Sequence, residues 1–275
     1  MTGADRIAER ASAFRELHRA GCFVMPNPWD AGSAHLLASL GFRAIATSSA
    51  GFAWSQGRRD NGVPLDAVLA HLRAVAGAVA IPVNADFEGG FAVDPDDVAA
   101  HVTAAAATGI AGLSIEDSTG DPARPLFDFD LSVARIRAAR RAIDASGTGI
   151  VLTGRSEGFL VGRPDLPETV RRLTAYADAG ADCLFAPAIR EPAHIEAIVQ
   201  AVAPKPVNVV VGGDYTTVAE LAAAGVRRIS LGGGLTRVAL TAVREAAVEV
   251  AEHGTFTGLG RAVPFAELNR WFPAS

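Results

Sequence analysis

Eight short β-rich runs, each ending in polar residues or glycine, alternate with Ala/Leu/Arg-rich segments of helical spacing, and few architectures accommodate that pattern. The runs are "CFVMPN" (22–27), "RAIATSS" (43–49), "IPVNADF" (81–87), "AGLSIED" (111–117), "GIVLTGR" (149–155), "DCLFAP" (182–187), "PVNVVVGG" (206–213) and "RISLGGG" (228–234). The segments between them, such as "DDVAAHVTAAAATG" and "ETVRRLTAYADAG", mostly end on the glycine expected just past a helix. Eight strand–helix units predict an α/β fold, the (β/α)8 TIM barrel. The stretch through Ala20 predicts an extra N-terminal helix, and "VREAAVEVAEHG" followed by "VPFAELNRWF" predicts C-terminal helices. A doubly wound open sheet is the competitor, but no Gly-x-Gly-x-x-Gly fingerprint follows an early strand. With 275 residues, 49% of them apolar, one large core is affordable, and a single domain over 1–275 is expected.

Charge and composition exclude several classes of function. The formal net charge is -5 and no Lys/Arg cluster forms a basic stripe, so neither nucleic acid nor an anionic membrane is expected as a partner. No apolar h-region opens the chain and no run of about 18 apolar residues occurs, which predicts a soluble, non-secreted, cytoplasmic protein. Cys22 and Cys183 both sit at strand starts in apolar surroundings, where a reduced thiol is the usual state.

In a barrel of this kind the site is built at the C-terminal ends of the strands. The only lysine, Lys205, precedes the seventh run and so lies at the opposite face, which removes a Schiff-base mechanism. All six histidines fall in helical stretches, so no histidine set is expected to hold zinc, and neither cysteine reaches a strand end. What remains is carboxylates, one arginine, and small or hydroxyl residues: Ser49 and Asp60 after the second run, Asp86 and Glu88 after the third, Glu116 after the fourth, Arg155 after the fifth and Asn208 on the seventh. Converging carboxylates repel and retain protons unless a cation sits among them, and an oxygen-only set selects a hard ion, Mg²⁺ before Ca²⁺. Gly89 and Gly90 would let the backbone turn tightly and keep the mouth open above Asp86 and Glu88. The competing reading has Asp86 and Glu88 starting a turn, and Arg155 bridging Glu157 or Glu116 structurally.

The ordered set "NPWDAGSA", "TSSAGF", "RRD", "NADFEGG", "SIEDS" and "GRSEGF" resembles the isocitrate lyase/phosphoenolpyruvate mutase superfamily over nearly the whole chain. The resemblance implies a Mg²⁺-dependent barrel, with Mn²⁺ a possible substitute, that binds a 2-oxo or 2-hydroxy carboxylate and stabilises an enolate while a C–C or P–C bond is made or broken. It implies Asp86 as direct metal ligand, with Asp60, Glu88 and Glu116 holding the ion or its waters. Ser49, Ala50 and Gly51 would receive the substrate carboxylate, with Arg155 as cationic partner and Asn208 as a further substrate contact. Arg155, Glu116 and Asp60 are then the candidate catalytic groups. The resemblance also implies homotetramers that exchange C-terminal helices, and "VPFAELNRWF" is too apolar for a free tail.

The departures bear on the reaction. Isocitrate and methylisocitrate lyases of the superfamily carry a Cys-bearing loop after the fourth strand, and the mutases a loop with a Lys and an Asn-Ser pair. Here that stretch is "EDSTGDPARPLFDFD" (116–130), without Cys, His or Lys. The expectation is therefore a carbon–carbon lyase that needs only a metal-stabilised enolate, of oxaloacetate decarboxylase or alkylmalate/methylisocitrate lyase type. Asp121, Arg124 or a metal-bound water would be the available proton donors. Phe52, Trp54 and Phe159 would offer an apolar lining for an alkyl substituent. The alternatives are P–C bond chemistry of phosphoenolpyruvate mutase or phosphonopyruvate hydrolase type, a phosphate-binding barrel using Gly212, Gly213 and Gly232 to Gly234, and a non-catalytic barrel.

Overall fold

The alternation of strand and helix is realised in a computed structural model, which describes residues 3–272. Eight parallel strands, β1 (Phe23–Met25), β2 (Ile45–Ala46), β3 (Val83–Asp86), β4 (Gly112–Glu116), β5 (Val151–Arg155), β6 (Cys183–Phe185), β7 (Val207–Val210) and β8 (Arg228–Ser230), run in the order β1-β8-β7-β6-β5-β4-β3-β2. The Ala46 N–H donates to the Pro26 carbonyl at 3.0 Å across the seam between β1 and β2, so the sheet is a nearly closed (β/α)8 barrel. Between and around the strands lie α1 (Gly3–Leu17), α2 (Ala31–Ser39), α3 (Ser49–Ser55), α4 (Leu65–Ala78), α5 (Pro95–Ala106), α6 (Phe129–Ser146), α7 (Leu166–Asp178), α8 (Pro192–Val202), α9 (Val218–Ala223), α10 (Gly234–His253) and α11 (Phe265–Arg270).

Local chemistry fixes where these helices start and stop. Asp30 and Thr217 form capping boxes with Ser33 and Glu220, and Asp94 and Asp165 accept from N–H groups of the first turn. Gly147 and Gly254 close α6 and α10 in the left-handed conformation that glycine adopts without strain. No helix among the described residues is long and apolar enough to cross a membrane.

The extra N-terminal helix closes one end of the barrel. Phe14 and Leu17 of α1 pack with Phe23, Val151 and Cys183, the first residues of their strands, in a cluster separate from the main core. Arg15 donates to the Gly149 carbonyl at 2.8 Å and pairs with Asp182 at 3.1 Å, tying α1 to the start of β5. Above this plug the interior turns polar. Arg228, fully buried, donates to Asn208 Oδ1 at 2.9 Å and Thr153 Oγ1 at 3.0 Å, and Asn208 Nδ2 donates to Ser230 Oγ at 3.0 Å. The network satisfies groups that would otherwise be costly to bury.

The expected C-terminal helices are present but leave apolar side chains uncovered. Of α10 only Thr236 is buried, while Val238, Leu240 and Val243 are exposed, as are Phe265 (80%) and Leu268 of α11.

The sheet also demands close approach to its helices. A Cβ on Gly154 of β5 would lie 2.9 Å from the Tyr176 Cβ of α7 and 3.3 Å from the Ala181 Cβ. Gly154→Ala is therefore expected to lower unfolding free energy by about 1–3 kcal/mol through overpacking, read as a lower urea midpoint with an unchanged m-value. A midpoint equal to that of the parent would show that α7 can retreat freely.

Candidate active site

The C-terminal end of β3 delivers Asp86, and its neighbours hold that side chain from both sides. The Asp86 N–H donates to Thr47 Oγ1 at 3.0 Å. Its Oδ2 accepts from the Ser49 N–H at 3.0 Å and the Ser49 hydroxyl at 2.8 Å, and its Oδ1 accepts from Arg155 Nη1 at 3.0 Å. Arg155 closes β5, and register places it directly opposite Glu116 of β4 and Phe185 of β6. Its Nη1 also meets Glu116 Oε2 at 3.2 Å, its Nε bonds Glu157 Oε1, and its guanidinium lies 5.2 Å from the Phe185 ring centroid. The bridging arrangement weighed from the sequence is thus present, with acids on three sides of one cation.

The segment "DFEGGF" turns as the glycines suggested, but not by glycine alone. Glu88 (φ +45) and Phe91 (φ +58) join Gly90 (φ +73) in the left-handed region, where a non-glycine residue is strained. Arg135 of α6, 1% exposed, restrains the turn by donating to the carbonyls of Gly89, of Ala92 at 2.8 Å and of Glu116 at 3.2 Å. One buried cation therefore fixes the loop after β3 and the end of β4 together.

The electrostatics are those of too many acids. Burial, then Asp86 and Asp60, push the Glu88 carboxyl up to about 8. Burial and Asp86 raise Asp60 despite an N–H bond from Asn61. Burial holds Glu116 well above the usual carboxylate range despite Arg155, with Glu157, Asp86 and Glu88 adding to it, and burial also raises Glu157. Arg155 is buried yet held firmly protonated by Glu157, Glu116 and Asp86. One guanidinium does not neutralise this set, and a second cation relieves the repulsion that otherwise retains protons. The donors are all oxygen, which fits a hard divalent ion. Among the described residues no three His, Cys, Asp or Glu side chains form a ready metal cage, so the fit is to an ion with few protein ligands and several waters.

The residues expected from the sequence divide into three groups. Ser49, Ala50, Asp60, Asp86, Arg155 and Asn208 line one cavity of about 340 Å³ at the barrel mouth. Glu88 faces a separate, water-sized space shared with Asp86 and His71, and Glu116 stands behind Arg155. Gly51 lies inside α3 with its N–H given to Ser48 Oγ, and a Cβ there would meet Thr236 Oγ1 of α10 at 2.6 Å. Its place in the structure is one of helix packing. Both ends of the Asn208 amide serve the buried network with Arg228 and Ser230. Trp54 lines the cavity, but Phe52 stacks on His71 at 3.8 Å and Phe159 packs edge-on against His194. Asp121 and Arg124 pair with each other at 3.9 Å in an exposed turn and do not line the cavity. The N–H groups of Leu231 and Gly232 are both given to Asn27 Oδ1, at 2.8 and 2.9 Å, which removes two donors from the glycine loop considered for phosphate.

Other residues come to the site unannounced. Arg190, Tyr215 and Arg237 line the far wall of the cavity. Asp117, next to Glu116, accepts from the Glu157 N–H, the Tyr176 hydroxyl and Arg172, and so steadies the ends of β4 and β5. The signal for Arg190 was faint, since it follows the apolar end of the sixth run, "FAP", and Tyr215 lies in the loop beyond the seventh run.

Residues 14–251 match the family model described as phosphoenolpyruvate phosphomutase. The fold superposes on a Burkholderia cenocepacia J2315 protein provisionally assigned as a lyase/mutase with a TM-score of 0.95 and 48% identity, over 98% of each chain. A 2,3-dimethylmalate lyase gives a TM-score of 0.85 at 28% identity, over 95% of this chain and 94% of that one. The 2-methylisocitrate lyase of Salmonella typhimurium is 34% identical over 171 residues, 59% of this chain and 56% of that protein.

The raised carboxyls carry a pH signature. Glu88 titrates near 8 when folded against 4.5 when unfolded, so the folded protein holds the extra proton between those values. The stability this contributes is complete below the unfolded value and lost as pH rises through the folded one. Chelated protein should therefore melt at progressively lower temperature from about pH 5 to about pH 8 and level off above it, and Mg²⁺ should restore most at the alkaline end. A Tm independent of pH in chelator would show that the acids do not share this repulsion.

Proposed function

Because the chain belongs to the isocitrate lyase/phosphoenolpyruvate mutase superfamily, we propose that it is a carbon–carbon lyase acting on a small 2-oxo or 2-hydroxy dicarboxylate. The observation that carries this reading is Asp86, oriented by Ser49 and Arg155 at the rim of the one cavity that also presents Asp60 and Ala50. Mg²⁺, or Mn²⁺ in its place, would be held by Asp86, with Asp60, Glu88 and Glu116 receiving its waters. When bound, the ion supplies Lewis-acid stabilisation of negative charge developing on the substrate oxygen.

The remaining roles fall to the chain itself. Ser49 and Ala50 would offer a hydroxyl and backbone N–H groups to the substrate carboxylate. Arg155 contacts acids through Nε and Nη1, so it acts first by fixing Asp86 and Glu116 and presents its remaining N–H groups to substrate. The segment 116–130 brings no Cys, His or Lys, which favours a cleavage that leaves a carbanion stable enough to need no dedicated acid: decarboxylation of oxaloacetate or retro-aldol cleavage of an alkylmalate. The lyase names of the 2,3-dimethylmalate and 2-methylisocitrate relatives agree with that bond type.

We further place the protein in the cytoplasm, as a single barrel domain that assembles as a homo-oligomer through α10 and α11. Their exposed Val238, Val243, Phe265 and Leu268 are more apolar than a free surface tolerates.

Two outcomes test these assignments. Asp86→Ala should lower turnover by at least about 10²–10³-fold and abolish the Mg²⁺-dependent rise in Tm, while far-UV circular dichroism stays native. The readout is pyruvate, CO₂ or glyoxylate released from oxaloacetate, alkylmalates, methylisocitrate and isocitrate, and phosphate from phosphonopyruvate. Near-normal turnover would make Asp86 a structural residue, and phosphate release alone would replace the lyase reading with phosphonate chemistry. Light scattering should return a multiple of the 28.4 kDa chain mass; a monomer would remove the assembly.

A further inference from the structure

The cavity at the mouth has two unlike walls. The wall from β2 to β5 carries Asp60, Asp86 and Arg155, whose guanidinium is already committed to three carboxylates. The wall from β6 to β8 carries Arg190 and Arg237 and no acid at all. Arg190 forms no ion pair or hydrogen bond with any described side chain. Its guanidinium instead lies 5.1 Å from the ring centroid of Tyr215, whose hydroxyl donates to the Val210 carbonyl at the end of β7 at 2.7 Å. The ring is thus pinned to the barrel and supports the cation from one side. The backbone is held as well: Ile189 is buried, Ala188 sits at φ +67, and Pro192 opens α8 two residues later. A planar fork supported in this way and unpaired in the protein suits a second carboxylate.

We propose that Arg190, backed by Tyr215, binds the substrate carboxylate remote from the reacting 2-oxo or 2-hydroxy carbon, so that the site selects dicarboxylates over monocarboxylates. The inference rests on the lyase reading above and refines it. The acid-rich wall cannot serve this purpose, because Arg155 lacks charge to spare for a second anion. A monocarboxylate would be satisfied at that wall alone and would leave Arg190 without a role. Trp54, Leu160 and Phe185 also line the cavity, which offers an alkyl substituent an apolar surface.

Calorimetric titration of the full-length Mg²⁺-loaded protein tests this without turnover. Oxalate carries only the groups that the acid-rich wall would receive, whereas malate adds the remote carboxylate. Arg190→Gln should weaken malate binding by roughly tenfold to a hundredfold and change oxalate binding less than about twofold, with Arg190→Lys between parent and Gln. Equal losses for both ligands would mark a general electrostatic or structural effect, and no loss for malate would remove Arg190 from the site; either overturns the proposal. If phosphonopyruvate binding falls in Arg190→Gln while malate binding does not, the remote group is a phosphonate and the dicarboxylate assignment fails. A parent protein that binds neither oxalate nor malate would overturn the lyase reading itself, whereas binding of oxalate but not malate would overturn only the remote subsite.

Discussion

One buried guanidinium governs the mouth of this barrel. Arg155 reaches Asp86, Glu116 and Glu157, which come from three separate segments of chain, and it sets the direction in which each carboxylate points. Breaking a buried pair by removing one partner typically costs about 3–5 kcal/mol, because the survivors keep their charge without compensation. Here the survivors would be carboxylates alone. The incomplete neutralisation that Arg155 leaves behind also prepares the site for a divalent ion, since Glu88 and Glu116 are pushed above the usual carboxylate range and a cation among them would favour their charged forms. Structural cohesion and ion affinity therefore have the same origin in a deliberate shortage of positive charge.

Beneath that layer the chain separates tasks by depth. The floor is apolar and plugged by Phe14 and Leu17, the middle is a hydrogen-bonded lattice around Arg228, and the acids around Arg155 gather at the top. Arg135 performs a comparable service outside the barrel wall, where a cation with only carbonyl acceptors holds the strained turn at residues 88–91. Neither arginine meets a carboxylate at close range in these contacts. Both give direction and rigidity through neutral acceptors.

Much of this was readable from residues alone, for identifiable reasons. Strand–helix alternation and glycine stops are local, so all eight units stand where their β-rich runs lie, and Asp86 and Arg155 follow because a strand end in a barrel faces the mouth. What escaped was decided by geometry that spacing does not encode. Gly51 reads as part of a substrate loop, yet it is required for contact with Thr236, nearly two hundred residues away in sequence. Asn208 reads as a ligand contact, yet its amide is consumed by Arg228. His71 sits in a helix as its pattern says, yet it stacks on Phe52 beside the small space that Asp86 and Glu88 also line, and burial holds its imidazole down to about 4. Arg190 lies beyond an apolar strand end, and only the turn at Ala188 brings it back over the cavity.

The plug formed by α1 has a kinetic corollary. With Phe14, Leu17, Phe23 and Met25 sealing the lower end, the barrel has one doorway. A molecule that reaches the acids at the mouth therefore enters and leaves by the same opening, and α1 sets that path without lending a residue to the cavity.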